Sequence, residues 1–189
     1  MRNPRGSTRR AFLSASLAAL AAAPLGGARA GDLEIRGAFR LVSQHGATMT
    51  EADLLGRPSA VFFGYTHCPD VCPTVLMEMA QVLAALGPKA DGVRVVFVSV
   101  DPQRDTPALL RDFVAFFDPR IVALSGPQEE VDRALTTFHA YAEKIGSEDG
   151  YTFDHSAVVF LNDRTGRFVA PLRLSEGAEV AARQISALF

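Results

Sequence analysis

Beyond residue 30, apolar positions fall into short continuous runs separated by stretches in which they recur every three or four residues. "PSAVFFGY" (58–65), "VRVVFVSV" (93–100) and "IVALSG" (121–126) have strand length and are rich in β-branched or aromatic residues, the pattern of strands covered on both faces. Between the first two lies "PTVLMEMAQVLAALG" (73–87), where Val75, Met79, Val82 and Leu86 share one helical face and Pro73 and Gly87 punctuate the ends. "DPQRDTPALLRDFVAFF" (101–117) turns into a second helix, with Thr106 ahead of Pro107 as its start, and "QEEVDRALTTFHAYAEKIG" (128–146) predicts a third. "IRGAFRLVSQHG" (35–46) alternates weakly, as an opening strand or hairpin arm does. "HSAVVFLNDRTGRFVAPLRL" (155–174) predicts a β-hairpin turning through Asp163 to Gly166, and "SEGAEVAARQISALF" (175–189) a closing helix with Ser175 as N-cap.

Strand–helix alternation followed by a hairpin and a last helix is an α/β layout with parallel central strands. The element order is that of a thioredoxin-like domain: a central mixed sheet flanked by helices. No internal repeat or low-complexity tract follows residue 30, so residues 31–189 read as one domain.

The first thirty residues have a different character. "MRNPRGSTRRAFL" places Arg9 and Arg10 directly before an alanine-rich run ending at Ala28-Arg29-Ala30. Basic start, short apolar middle and small-residue cleavage site make an export signal, here of twin-arginine type and expected to be cleaved. If uncleaved, the segment would remain as an inner-membrane anchor, although it falls short of the ~20 apolar residues a spanning helix needs. Five of the nineteen bases and none of the twenty-one acids lie in residues 1–30, which leaves residues 31–189 at −7. So acidic a domain is poorly suited to neutralising phosphates, which argues against nucleic acid as a partner.

Both cysteines stand in "GYTHCPDVCPT" (64–74) with three residues between them. Export favours a disulfide. A bridge across so short a loop, however, is worth only about 2 kcal/mol, against about 4.7 kcal/mol for a hundred-residue loop. A domain of this size has little need of such a staple, and the pair reads as a chemical site. It lies where the first buried strand meets its helix. Free amides there favour a thiolate, the form that both attacks disulfides and binds metal.

"YTHCPDVCP", "VDPQRDTP" and "YTFDHSAVVFL", in this order, resemble the SCO/SenC family, thioredoxin-like copper proteins of cytochrome oxidase assembly. The similarity runs over roughly residues 33 to 189. It implies that Cys68, Cys72 and the distant His155 bind one copper ion. Two soft thiolates and an imidazole suit Cu(I), with Cu(II) admissible, and three ligands leave a position open for hand-over. The spacing is one residue longer than Cys-x-x-Cys, through Pro69, Asp70 and Val71. Among the other histidines, His67 is adjacent to Cys68 and awkward for a shared ion, His139 falls in the predicted third helix, and His45 in a polar turn. Four residues are candidates for a supporting shell, each with a plainer alternative. Asp70 tunes the cysteines or caps the helix start. Asp101 and Arg104 shape the site or form a local turn network. Asp154 orients the imidazole or bonds to backbone.

By resemblance, the function expected is copper delivery to the copper A centre of cytochrome c oxidase subunit II, in the periplasm, with other periplasmic copper proteins as further partners and no small-molecule substrate. The alternative is a thiol–disulfide oxidoreductase in which Cys68 and Cys72 are the redox-active pair. A peroxiredoxin-like peroxidase needs a Thr three residues and a Pro seven residues before its cysteine. Pro69 and Tyr65 stand there for Cys72, Tyr65 and Val61 for Cys68, and both placements fail. Zinc hydrolysis suits the ligand types, but no general base stands out.

Overall fold

A computed structural model describes residues 39–147 and 150–189; the export segment and the start of the opening strand lie outside them. Nine strands and four α-helices follow one another in these residues. A seven-stranded sheet has the order β2-β1-β5-β4-β3-β8-β9. Its centre is parallel: β3 (Ser59–Gly64) beside β4 (Arg94–Ser99), and β4 beside β5 (Val122–Ser125). The outer strands β1 (Arg40–Ser43), β2 (Thr48–Thr50), β8 (Val159–Asn162) and β9 (Phe168–Pro171) pair antiparallel. This is the mixed sheet of the expected thioredoxin-like fold.

All six residues of β3 are buried, as its continuous apolar run predicts. Phe62 and Phe63 point to opposite faces. On the Phe62 face lie Phe97, the start of α1 (Val71–Leu86) and, through Phe113, helix α2 (Pro107–Ala115). Helix α4 (Ala178–Ser186) packs against α1. On the opposite face Phe63 meets Phe138 and Phe160. Among the described residues, Val71–Gly92 is the helical stretch long and apolar enough to cross a membrane. It is α1 with a 3-10 continuation, and its Val75, Met79, Val82 and Leu83 are buried in the domain core.

Three expectations need correction. Helix α3 spans Gln128–Thr137 and does not continue to 146. Phe138 turns into the core, and His139, outside the helix and exposed, takes a left-handed φ of 52°. The His139 N–H then reaches the Thr136 carbonyl at 3.1 Å and the Ala140 N–H the Leu135 carbonyl at 2.8 Å. That is the pair of bonds with which a glycine usually closes a helix. The chain released here forms β6 (Ala142–Ser147), paired antiparallel with β7 (Gly150–His155) as a ribbon separate from the main sheet. Ser175 sits within a 3-10 turn, and the N-cap of α4 is Gly177, whose φ of 94° lets the chain swing into the helix. Helix α1 begins at Val71, so Cys72 stands in its first turn.

Candidate metal centre

Cys68 precedes α1 and Cys72 lies inside it, both held by the chain leaving β3. The loop is fastened by a carboxylate that the sequence reading passed over. Asp105, 1% exposed, accepts the Thr66 N–H at 3.1 Å and hydroxyl at 2.6 Å, and the Ser99 hydroxyl at 2.6 Å. It thus ties the residues before Cys68 to the end of β4. The signal available was a second aspartate in "DPQRDTP", directly ahead of the Thr106 that caps α2.

The two sulfurs have unlike surroundings. Burial works against ionisation of Cys68, but the N–H groups of Asp70, Cys72 and Val71, with help from the Cys72 thiol, bring its pKa below the ordinary value. One of these, the Cys72 N–H, lies 3.5 Å from Cys68 Sγ. Cys72 is fully buried. Burial pushes its thiol far up; the Tyr65 backbone opposes the rise, and Cys68 and Asp105 add to it. Space behind Cys72 is tight: a Cβ on Gly64 would stand 2.6 Å from its sulfur and 2.8 Å from Phe97. Both cysteines are free thiols.

His155 ends β7 and arrives at the same point from far along the chain. Its ring stands edge-on to Phe62 and Tyr65, at centroid distances of 6.0 and 5.8 Å. Nδ1 faces the Ser156 carbonyl at 3.2 Å, and since a carbonyl only accepts, the proton belongs on Nδ1. Nε2 is left with its lone pair toward Cys72 Sγ, 3.5 Å away. Cys68, Cys72 and His155 bring their donor atoms within 4.8 Å of one another. A shallow cleft beside them is lined by Pro69, Val71, Phe153 and Ala157, among others.

The remaining candidates are distributed differently. Asp70 holds the N-cap position of α1, but its side chain makes no capping bond. Asp101 and Arg104 pair with each other and reach toward Tyr151 on the ribbon. Asp154 is exposed on β7 and, with Asp70, lines the cleft, but the backbone carbonyl of Ser156 occupies the place beside Nδ1. His67 is exposed, with Nδ1 3.0 Å from the Thr66 hydroxyl; His45 lies exposed in a turn.

A family model described as SCO1/SenC matches residues 27–189. The chain belongs to the SCO1/SenC family. Protein SenC of Rhodobacter capsulatus is 38% identical over 138 residues, 72% of this chain and 62% of that protein. Among solved structures, Bradyrhizobium japonicum ScoI with copper bound is 46% identical, with a TM-score of 0.78 over 81% of this chain and 98% of that one. Yeast Sco1 with copper bound is 32% identical, with a TM-score of 0.72 over 80% of this chain and 86% of that one. Both of those structures hold copper, and the donor set assembled here is of the soft kind that ion selects.

Proposed function

We propose that this chain is a periplasmic copper carrier that holds one Cu(I) between the thiolates of Cys68 and Cys72 and Nε2 of His155, and passes it to the copper A centre of cytochrome c oxidase subunit II. The observation that carries this reading is the convergence of the three donors within 4.8 Å, although 83 residues separate Cys72 from His155. Three donors around one first-row ion at about 2.0–2.3 Å stand roughly 3.5–4 Å apart, so the sulfurs and the ring need only a small inward movement. Binding releases thiol protons, the harder one from Cys72, where cationic copper replaces the proton that burial otherwise retains. The His155 ring presents Nε2 because Nδ1 is engaged by backbone, which fixes the ring for an incoming ion. Cys68, partly exposed at the cleft, is where an acceptor's thiolate would first meet the cargo. The family relationship supports the oxidase as destination, the twin-arginine segment supports export, and other periplasmic copper proteins are secondary acceptors. Anaerobic titration of the reduced protein with Cu(I) tests the reading: one ion per chain is expected, and no binding above that of the double cysteine variant would refute it.

A second reading is favoured by the unequal thiols. A thiolate on Cys68 attacks a target disulfide, forming a mixed disulfide and expelling one target thiolate. Cys72 then attacks the Cys68 sulfur, releasing the second target thiolate and closing the Cys68–Cys72 disulfide. Two electrons pass to the target, which ends as a dithiol. The reduction potential of the pair tests this: a value near those of known exchange catalysts supports reductase action, and a value far below ambient marks a stable disulfide and refutes it.

A further inference from the structure

The ribbon that carries His155 is not hydrogen-bonded into the seven-stranded sheet, so side chains must fix where it points. Along β7 the half-buried positions are Tyr151, Phe153 and His155, while Thr152 and Asp154 are exposed, Thr152 still pairing its hydroxyl with that of Tyr65 at 2.6 Å. The inward face therefore lies along the body of the domain in three steps. His155 ends between Phe62 and Tyr65, and the Phe153 ring lies 5.5 Å from that of Tyr65. Tyr151, the farthest from the sulfurs, meets a charged group. Its hydroxyl donates to Asp101 Oδ1 at 2.9 Å, and Asp101 is itself 1% exposed and paired with the Arg104 guanidinium. Arg104 donates to the Tyr151 carbonyl at 3.3 Å, and its guanidinium carbon lies 3.7 Å from the centre of the Tyr151 ring. Lys144 of β6 sets its ammonium 3.7 Å from the same ring centre and 3.3 Å from Gln103 Oε1, in the loop that holds Asp101 and Arg104. A cation against an aromatic face and a hydroxyl on a buried carboxylate are directional contacts, so they set the height and rotation of the strand as well as its attachment.

We propose that Tyr151, Asp101 and Arg104 are positioning residues for His155: a clamp at the start of β7 that holds the imidazole at the sulfurs. The inference rests on the three-donor reading above. The clamp touches neither sulfur nor ring. It acts by keeping the far end of the strand from Tyr151 to His155, four residue steps or about 13 Å at the usual rise, from swinging away. A ribbon without it presents His155 to the sulfurs only part of the time, and copper affinity falls by that fraction.

The test is a double-mutant cycle on the full exported domain, reduced and titrated anaerobically with Cu(I) against a chromophoric chelator. Tyr151→Val removes the clamp's aromatic face and hydroxyl while leaving the Asp101–Arg104 pair intact, and suits a strand. Arg104→Met serves as the second probe. Each is expected to weaken Cu(I) binding by about 10–100-fold when His155 is present, the range found for residues supporting a metal ligand, and by nothing further in the His155→Ala background. Equal losses in both backgrounds, or no loss with His155 present, would overturn the clamp. If His155→Ala itself binds as wild type, the three-donor reading fails. The clamp is then judged on the copper-free protein, where Tyr151→Val must speed amide exchange along β7 relative to β3. Unchanged exchange overturns it.

Discussion

The two halves of the site are built on very different foundations. Cys68 and Cys72 follow the most deeply buried strand of the sheet, and Cys72 is seated in the first turn of a sixteen-residue helix whose inner face is core. A Cβ on Gly64 would stand only 2.6 Å from its sulfur, closer than van der Waals contact allows. His155 instead comes on a two-stranded ribbon outside the main sheet, with no fully buried residue along β7. A donor rooted in the core has its position set by packing, where a methyl group is too much. A donor on a side ribbon has its position set by a handful of polar and aromatic contacts. On the carrier reading proposed above, the two sulfurs would be the fixed part of the site and the third donor the part whose hold can be adjusted.

The sharpest break in that comparison is at the sulfurs. Replacing Cys68 or Cys72 with Ser should abolish Cu(I) binding in the same chelator competition, since one thiolate and one imidazole are a much weaker soft set. Retention of binding near wild-type strength by either variant would show that the rooted half is not the grip. On the ribbon side, His155→Ala should cost more than the about 10–100-fold that loss of a supporting residue costs, yet leave a measurable two-sulfur complex. Its thermal unfolding in the copper-free state should stay close to wild type. A large loss of stability would mean that the ring is part of the core after all.

A smaller change probes the packing behind Cys72. Gly64→Ala places a methyl group 2.6 Å from Cys72 Sγ and 2.8 Å from Phe97, and overfilling of a packed core typically costs about 1–3 kcal/mol. Chemical denaturation should read that loss, and the Cu(I) affinity should fall with it because the sulfur must move. On the ribbon, Thr152→Val is nearly isosteric but removes the hydroxyl that pairs with the buried Tyr65 hydroxyl at 2.6 Å, and should cost about 1 kcal/mol in the same assay.

What could be foreseen from the amino-acid pattern follows the same line. Strands β3, β4 and β5 and helix α1 announce themselves because burial on two faces, or along one helical stripe, forces unbroken or periodic apolar residues. The cysteine pair was therefore easily placed at a strand–helix junction. The ribbon announces nothing. Ala142, Lys144 and Ile145 continue the pattern of α3, and the turn that ends that helix uses His139 in a left-handed conformation, where a glycine would have been visible. Half-exposed strands with alternating faces, such as Tyr151 to His155, carry too little apolar signal to be separated from a loop. Asp154 was a candidate through adjacency to His155, but adjacent residues of a strand point to opposite sides, and only the backbone trace reveals that the Ser156 carbonyl meets Nδ1 instead. Asp105 needed the fold as well. Its partners, Thr66 and Ser99, belong to two different strand ends, brought side by side by the parallel pairing of β3 and β4.

The inequality of the thiols gives an effect with a defined pH sense. Cys68, with its pKa below the ordinary value, should be alkylated first at neutral pH, and Cys72 only once the protein opens. Cys72 keeps its proton in the folded state above the ordinary value of 9.0, whereas the unfolded chain loses it there. Above pH 9 the unfolded state therefore binds fewer protons at this position, and folding stability drops as pH rises, by up to about 1.4 kcal/mol per pH unit. Urea denaturation of the reduced protein at pH 8 and pH 10 should show this decline, and the Cys72→Ala variant should lack that part of it. An identical decline in both would mean that the Cys72 thiol is as free to ionise in the folded protein as in the unfolded chain.

Whether the rooted and the adjustable halves meet on one ion is decided by X-ray absorption at the copper edge of the reduced, singly loaded protein, compared with its His155→Ala counterpart. Two sulfurs and one imidazole nitrogen around Cu(I), with the nitrogen lost in the variant, is the expected result. A sulfur-only shell in the wild-type protein, or the same nitrogen in both, would separate the ribbon from the metal and leave a dithiol in its place.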